Sequence, residues 1–331
     1  MRVAILMSGG VDSTIAAHML KEKGFEIFGI HMVHLDKPNE KVFKVAQELG
    51  IELKVLDIRE EFKKRIIQYF IDEYRKGRTP NPCYFCNRFI KFGILFEEAL
   101  KLGADVVASG HYARIINGKL FAAFDKSKDQ SYFLSSLRRE ILKKVTFPLG
   151  DVKKEDVMNL ARDMGIEFDG ESQDVCFLEK DLRSFLKEKG LNPGAGSFMM
   201  DGKVVGKHDG YAFYTIGQRK GLGLSLGKKV YVSKIDPEKN IVFLGEKDDV
   251  MYDMMFVSSL NFLDDVSGEF RSLVKIRSNF NAVGAFVKIM GNSAIVRFDE
   301  RVFAVTPGQI AVFYDGEKVV MSGVIERGGK S

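Results

Sequence analysis

The sequence predicts an α/β fold, a doubly wound parallel sheet, followed by a small, mostly β middle domain and a C-terminal β-barrel. Two observations carry this prediction. In the first third of the chain, apolar strand segments alternate with amphipathic helices, a pattern typical of a parallel sheet covered on both faces. After "LNPGAG" at 191–196, helices give way to short alternating strands separated by turn residues. We therefore expect domains at 1–195, 196–252 and 253–331.

The alternation can be followed element by element through the first domain. Strands are expected at 2–7, 26–32, 51–57 and 104–109, and the helices at 13–23, 39–49, 59–76 and 87–102. A hairpin around "IINGKLFAAF" (115–124) and helices at 153–164 and 182–189 are expected as insertions. In such a sheet the ligand crevice lies at the carboxyl ends of the strands.

Composition is that of an ordinary globular protein and leaves the partner open. The 331 residues include 50 Lys and Arg against 45 Asp and Glu, a surplus too small to indicate a nucleic-acid partner by itself. The sequence has no apolar run of about 18 residues and no leader-like N-terminus, so a cytosolic protein without membrane association is expected. The three cysteines, an odd number, argue against a disulfide framework, and each thiol is a candidate for metal binding or chemistry.

The hexapeptide "SGGVDS" joins the first strand to the first helix. A capped turn could explain it, with Asp12 or Ser13 as the helix cap. The adjacent Gly9 and Gly10 would also let the backbone approach a ligand closely, and the helix N-terminus that follows favours an anion. Ser8 and Ser13 add hydroxyl groups, and Asp12 beside a phosphate suggests Mg²⁺ between the two. The hexapeptide therefore predicts a phosphate-binding loop.

Two of the three cysteines lie in "RTPNPCYFCNRFIKFG" (78–93), on a proline-rich approach to a helix, and the third lies in "ESQDVCF". With Asn87 as the expected cap, Cys86 would lie at a positive helix end, which lowers the pKa of a thiol. The cysteines could be small buried side chains, and structural zinc is disfavoured because no histidine has ligand spacing to them. Sulfur chemistry takes two forms: a persulfide on one thiol that another resolves as a disulfide, or an iron–sulfur cluster held by Cys83, Cys86 and Cys176.

Seven segments, in this order and spacing, resemble the tRNA-specific 2-thiouridylases of the bacterial MnmA type, a family within the PP-loop ATP pyrophosphatases. They are "SGGVDS", "RTPNPCYFCNRFIKFG", "ASGHYAR", "KDQSYFL", "ESQDVCF", "YTIGQRKGLG" and "AVTPGQIAVFYDG". The resemblance runs from about residue 2 to residue 325. It implies an adenine nucleotide α-hydrolase-like PP-loop domain and an ATP-dependent 2-thiolation of the wobble uridine in tRNA anticodons, with the uridine C2 oxygen adenylated before sulfur enters.

The resemblance also implies which residues do this work. Cys86 matches the catalytic nucleophile and Cys176 the cysteine that carries the persulfide, and Asp12 of the loop is added to this catalytic set. The ATP site would comprise Leu6, Met7, Ser8, Gly9, Gly10, Val11, Asp12, Ser13, Met32 and Gly110. The tRNA would be contacted by Asn81, Pro82, Cys83, Lys128, Asp129, Gln130 and Arg277.

Two departures from the family pattern bear on these roles. Many members have Asp where this chain has Cys83, and a third thiolate there strengthens the case for a [4Fe–4S] cluster, so that the persulfide relay and the cluster both stay open. In the C-terminal domain, Ser278 stands where the family commonly has an aromatic residue. A base stack is thereby lost, while Arg277 can still pair with phosphate.

The expected cofactor is ATP with Mg²⁺, and the expected partners are the anticodon stem-loop of tRNA and a sulfur donor protein, either a cysteine desulfurase or a sulfur relay carrier. Basic residues are expected along the RNA path at Arg75, Lys76, Arg78, Arg88, Arg219 and Lys220. Two other classes of function compete: an ATP-dependent ligase or amidating synthetase, which would not require cysteines at 86 and 176, and a non-enzymatic RNA-binding module with a vestigial nucleotide loop.

Overall fold

The computed structural model describes residues 1–35, 39–166, 175–178 and 180–330, and its N-terminal part is built on a parallel sheet. The strands in this part are β1 (Arg2–Leu6), β2 (Glu26–Val33), β3 (Leu53–Asp57), β4 (Val106–Ser109), β5 (Arg114–Ile116), β6 (Lys119–Phe121) and β7 (Val145–Thr146). In the sheet the order is β3-β2-β1-β4-β7, with every neighbouring pair parallel. The short strands β5 and β6 form the predicted hairpin.

Helices cover both faces of this sheet, as predicted for a doubly wound fold. They are α1 (Val11–Glu22), α2 (Glu40–Leu49), α3 (Arg59–Phe62), α4 (Gln68–Arg75), α5 (Pro82–Cys86), α6 (Leu95–Lys101), α7 (Ser131–Leu134), α8 (Lys154–Asp163) and α9 (Leu182–Glu188). Because side chains alternate along a strand, Val3 and Ile5 of β1 pack into the core beneath α1, whereas Ala4 and Leu6 pack into the core on the opposite face. None of the helices in these described ranges is long and apolar enough to cross a membrane.

The two longer helices of the prediction are each interrupted by a π-helical segment. The helix expected at 59–76 consists of α3, a π segment at Lys63–Ile67, and α4. The helix expected at 87–102 begins earlier, at Pro82, and contains a π segment at Asn87–Ile94 before α6. The cap of this helix is Asn81, whose Oδ1 accepts a hydrogen bond of 3.1 Å from the backbone N–H of Tyr84, so the prediction of Asn87 as the cap was wrong.

The C-terminal half is rich in β structure, as predicted. Its strands are β8 (Gly196–Met200), β9 (Lys203–His208), β10 (Tyr231–Asp236), β11 (Ile241–Gly245), β12 (Met251–Phe262), β13 (Glu269–Lys275), β14 (Val283–Met290), β15 (Ser293–Phe303), β16 (Ile310–Asp315) and β17 (Lys318–Gly329). The middle sheet has the order β10-β11-β8-β9. Strands β12-β15-β14-β13-β16-β17 form an antiparallel barrel that closes through the β12–β17 pairing. The predicted boundaries after residues 195 and 252 stay predictions.

The barrel packs directly against the cysteine-bearing helix. Tyr84 of α5 and Ser322 of β17 share a hydrogen bond of 2.9 Å between their hydroxyl groups. Arg78 is paired with Glu73 at 2.7 Å and with Glu326 of the barrel at 2.6 Å. Arg88 likewise donates hydrogen bonds to the carbonyl of Ser136 and to the side chain of Asn261. Two of the basic residues expected along the RNA path therefore also connect the N-terminal part to the barrel, and their role toward RNA stays a prediction.

Candidate active site

The glycine loop leaves β1 and enters α1 without a side-chain cap. Gly9 has φ of 79°, in the left-handed region that favours glycine, and Gly10 is the N-cap residue. Neither Asp12 nor Ser13 is the cap. Instead, Ser13 Oγ donates to the carbonyl of Gly10 at 3.0 Å and accepts from the N–H of Ser8 at 3.2 Å. The first N–H groups of α1 therefore receive no capping hydrogen bond from a side chain, an arrangement suited to an anion.

The loop after β4 packs against this helix start, and Gly110 makes the approach possible. A Cβ atom on Gly110 would lie 2.6 Å from the carbonyl carbon of Asp12 and 2.7 Å from the backbone nitrogen of Ser13. Backbone atoms cannot move aside as a flexible side chain can, so a larger residue would push the two loops apart. Gly110 is therefore in close contact with the backbone of the glycine loop.

Two residues that sequence reasoning missed hold the carboxylate of Asp12. Its Oδ1 accepts a hydrogen bond of 2.6 Å from Nζ of Lys154, at the start of α8, and one of 2.9 Å from the hydroxyl of Tyr112. Burial raises the pKa of Tyr112, and the neighbouring Asp12 charge raises it further, so the phenol stays protonated and donates. Lys154 places a positive charge at the mouth of the glycine loop.

One cavity of about 700 Å³ joins the glycine loop to the cysteines. Its lining includes these residues of the predicted ATP site: Leu6, Met7, Ser8, Asp12, Ser13, Met32 and Gly110. The lining also includes these residues of the predicted sulfur-transfer and tRNA sites: Pro82, Cys83, Cys86, Gln130 and Cys176. The remaining predicted site residues lie outside this lining: Gly9, Gly10, Val11, Asn81, Lys128, Asp129 and Arg277.

In the described part of the chain, Cys83, Cys86 and Cys176 form no disulfide, and they differ in exposure: Cys86 is buried, Cys83 half-buried and Cys176 exposed. Burial raises the pKa of the Cys86 thiol to about 12, against the opposing effect of the nearby Lys91 ammonium. The predicted lowering was wrong, because the helix starts at Pro82 and Cys86 lies further along it, within the buried core. Although part of the Cys176 side chain is exposed, desolvation by the protein around its thiol raises the pKa of that thiol as well.

The cysteines do not fit a metal cluster. Across residues 1–35, 39–166, 175–178 and 180–330, no group of three or more His, Cys, Asp or Glu side chains lies close enough together to hold a metal ion. Cys83, Cys86 and Cys176 line the same cavity without forming such a group. We therefore derive no step through an iron–sulfur cluster.

His31 and His111 also line the cavity that joins the glycine loop to the thiols. His31 Nδ1 is 2.9 Å from the carbonyl oxygen of Met7. His111 Nδ1 is 2.7 Å from Oγ of Ser109, and its Nε2 is 3.3 Å from Nζ of Lys91. Burial, together with the Lys91 charge, holds the pKa of His111 well below its usual value, so this imidazole is neutral near pH 7.

Three of the residues expected to contact tRNA already hold the fold together. Asn81 caps α5. The Asp129 carboxylate accepts hydrogen bonds from the backbone N–H groups of Ala123 at 3.0 Å and Ser131 at 3.1 Å. Arg277 donates to the carbonyl of Ala304 at 2.7 Å, and burial lowers the pKa of its guanidinium. Their contacts with tRNA stay predictions.

Fold and site together define a nucleotide-binding α/β domain of the PP-loop type, joined to two β domains. Family models match along the chain as the tRNA methyl transferase HUP domain (residues 1–180), the tRNA methyl transferase PRC-barrel domain (183–246) and the aminomethyltransferase beta-barrel domain (252–325). The chain is 43% identical to the tRNA-specific 2-thiouridylase MnmA of Pseudothermotoga lettingae, over 99% of each chain. It is 44% identical to the enzyme of that name from Fervidobacterium nodosum, over 98% of this chain and 99% of that one. The chain belongs to the tRNA-specific 2-thiouridylase family.

Among solved structures, a 4-thiouridine synthetase–RNA complex with bound ATP aligns with 50% of this chain and 41% of its own, at 21% identity and a TM-score of 0.33. That similarity is too low to carry an argument. The family models are named after methyl transfer, whereas the relatives that match over nearly the full length of the chain are named after thiolation.

Proposed function

We propose that the protein inserts sulfur at C2 of the wobble uridine of tRNA in an ATP-dependent reaction. The observation that carries this proposal is the single cavity shared by Ser8 and Asp12 of the glycine loop and the thiols of Cys86 and Cys176. A reaction that couples nucleotide activation to sulfur transfer needs both groups within reach of one substrate atom. Methyl transfer would use neither a pyrophosphate-binding loop nor paired thiols.

The first step activates the base. The uridine C2 oxygen attacks the α-phosphorus of ATP, pyrophosphate leaves, and the N3 proton passes to water. The uncapped start of α1 and Lys154 would hold the pyrophosphate. Carboxylate and hydroxyl oxygens suit Mg²⁺, so Asp12 would hold that ion beside the phosphates, where it offsets their charge.

The second step transfers sulfur. The terminal sulfur of a Cys176 persulfide attacks C2, and the C–O bond breaks as AMP leaves with its electron pair. Cys86, having lost its proton to water, then attacks the Cys176 sulfur. The S–S bond to the base breaks, the thiolated uridine regains a proton, and a Cys86–Cys176 disulfide remains for an external thiol to reduce. Direct delivery of sulfide released from Cys176 is the alternative form of this step.

The substrate and partners follow from the same chemistry. A stacked base cannot present C2 to a pocket, so the wobble uridine would be turned out of the anticodon loop into the cavity. Cys176 is exposed, which suits loading by a sulfur donor protein such as a desulfurase or relay carrier. Such a reaction would take place in the cytosol, with tRNA docked across Cys83, Gln130 and their neighbours.

The experiment supplies tRNA, ATP, Mg²⁺, a cysteine desulfurase with free cysteine as the donor of persulfide sulfur, and a thiol that reduces the final disulfide. It measures pyrophosphate release and 2-thiouridine by mass spectrometry. We expect Cys86→Ser and Cys176→Ser to keep pyrophosphate release and lose thiolation. Cys83→Ser should still thiolate, with at most a higher KM for tRNA, because the relay does not use this thiol. Full turnover by Cys86→Ser would favour an ATP-dependent ligase or amidating synthetase. Failure of the wild-type protein to release pyrophosphate would favour a non-enzymatic RNA-binding module.

The role of the glycine loop in the ATP reaction can be tested separately from tRNA binding. Asp12→Ala should abolish pyrophosphate release, because the loop loses its carboxylate, and should leave tRNA affinity within about threefold of wild type, because phosphate contacts elsewhere dominate affinity. An equal loss of tRNA binding would overturn this division.

A further inference from the structure

The π segment within the cysteine-bearing helix turns Lys91 toward the cavity. In a regular α-helix, residues five apart lie about 140° apart around the axis, so Lys91 would face away from Cys86. The π segment at Asn87–Ile94 widens the turn to an i→i+5 pattern and brings the two residues toward the same side. Ile90 is accordingly fully buried in the core, whereas Lys91 lines the cavity with Cys86.

Lys91 contributes a positive charge to the lining of the cavity. Among the described residues that line it, Lys91 is the only Lys or Arg. Its ammonium is oriented by His111, whose Nε2 lies 3.3 Å away and accepts, because an ammonium group can only donate. The Nδ1 of the same neutral ring then carries the proton and donates to Ser109 Oγ at 2.7 Å. The other titratable or charged side chains facing the cavity are Asp12 of α1, His31 and His34 of β2 and its following turn, Cys83 and Cys86 of α5, and Cys176.

The same ammonium acts on both thiols of the sulfur-transfer step. Burial is the largest influence on Cys86 and on Cys176, and at each of them the Lys91 charge opposes it by favouring the anion. A cation held near a forming anion in a poorly solvated site is worth far more than it is in water.

We propose that Lys91 is a further catalytic residue, which stabilises the anionic sulfur while it passes between cysteine and base. This inference rests on the proposed function. The bonds that form and break are those of the transfer step, and Lys91 neither gives nor takes a proton. Its charge stabilises the persulfide anion on Cys176 and then the attacking sulfur of Cys86, whose buried position excludes water.

The test separates charge from packing. Lys91→Met keeps the length of the side chain without its charge, Lys91→Arg keeps the charge, and Lys64→Met, at an exposed position in the other π segment, is the matched control. With tRNA, ATP and a cysteine desulfurase with free cysteine as the persulfide donor, we expect Lys91→Met to release pyrophosphate within about threefold of wild type and to thiolate at least about tenfold more slowly. Lys91→Arg should recover much of that rate.

A second measurement needs neither ATP nor tRNA. In a Cys83→Ser, Cys86→Ser background, iodoacetamide should alkylate Cys176 several-fold more slowly at neutral pH when Lys91→Met is added, because less of the thiol is ionised. Wild-type-like thiolation by folded Lys91→Met, or unchanged alkylation, would overturn the proposal. A wild-type protein that does not thiolate would instead overturn the proposed function, and the alkylation result would still stand on its own.

Discussion

Nζ of Lys154 lies 2.6 Å from Oδ1 of Asp12, although 142 positions separate the two residues in the chain. Asp12 belongs to the first turn of α1, and Lys154 is the first residue of α8. The side chain of Lys154 is 19% exposed and that of Asp12 36%, so the pair stands at the edge of the cavity rather than in open solvent. The start of α8 thus adds a cation to the site at which the loop would bind phosphate.

We expect Lys154→Met to raise the KM for ATP and to lower pyrophosphate release at least about tenfold, because the loop loses a cation beside the phosphates. Lys153→Met is the matched control, since that neighbouring lysine is exposed. Pyrophosphate release and tRNA affinity would be measured side by side. Equal effects at the two positions would mean that only the general basic charge of this surface matters.

Gly110→Ala tests the contact between the β4 loop and the PP-loop. The added methyl group would meet backbone atoms of Asp12 and Ser13 at 2.6 to 2.7 Å, so we expect a loss of about 1–3 kcal/mol in the free energy of unfolding and poor ATP turnover. Gly10→Ala is the control for stability, because its methyl group would meet Ser8 Oγ at an ordinary 3.5 Å. Urea denaturation followed by circular dichroism compares the two. Equal stabilities would show that the loop moves aside at little cost.

The sequence predicted those parts of the site that are local in the chain. The spacing of "SGGVDS" predicts a loop between an apolar strand and a helix, and the order of strands and helices predicts the parallel sheet, and both are present in the structure. The partners of Asp12 were missed because Tyr112 and Lys154 reach it across 100 and 142 positions, and such contacts leave no periodic signal. Tertiary packing, rather than local sequence, brings Tyr112 and Lys154 to Asp12.

The pKa of Cys86 was mispredicted for a related reason. Proline spacing suggested a helix start near Asn87, but Pro82 is itself the first helical residue and Asn81 the cap. The π segment that follows was not predicted either, since its extra residue per turn depends on how the helix packs rather than on local propensity. A shift of a few residues in the helix start exchanges a positive helix end for a buried core position.

Asn81→Ala should destabilise the helix that carries Cys83 and Cys86. The side chain of Asn81 caps α5 through the N–H of Tyr84, and loss of such a cap costs about 1 kcal/mol. Asn81→Ser keeps a capping oxygen and should restore most of that stability. If both variants are equally stable but bind tRNA weakly, Asn81 contacts the substrate rather than capping the helix.

Asp264 joins the β5–β6 hairpin to the barrel and makes that contact dependent on pH. Its carboxylate accepts hydrogen bonds from Lys119 of the hairpin at 2.9 and 3.0 Å, and it pairs with Lys318 of β17 at 3.0 Å. Burial alone would raise the pKa of Asp264, but the two lysines outweigh it and hold the pKa below its usual range. A carboxyl whose pKa is lower in the folded state stabilises the protein above its unfolded pKa, and this stabilisation disappears as the pH falls through the folded value.

Asp264→Asn should therefore lower the free energy of unfolding by about 1–3 kcal/mol at pH 7, where the lost acceptor is charged. The difference from wild type should begin to shrink as the pH falls below about 4, because the carboxyl of the unfolded chain then takes up a proton while the folded one stays charged. Asp265→Asn is the matched control, since Asp265 pairs with Arg139 while largely exposed, and it should change stability far less. Urea midpoints at several pH values between 3 and 7 provide the measurement. A difference that stays constant across this range would mean that Asp264 acts through packing rather than through charge.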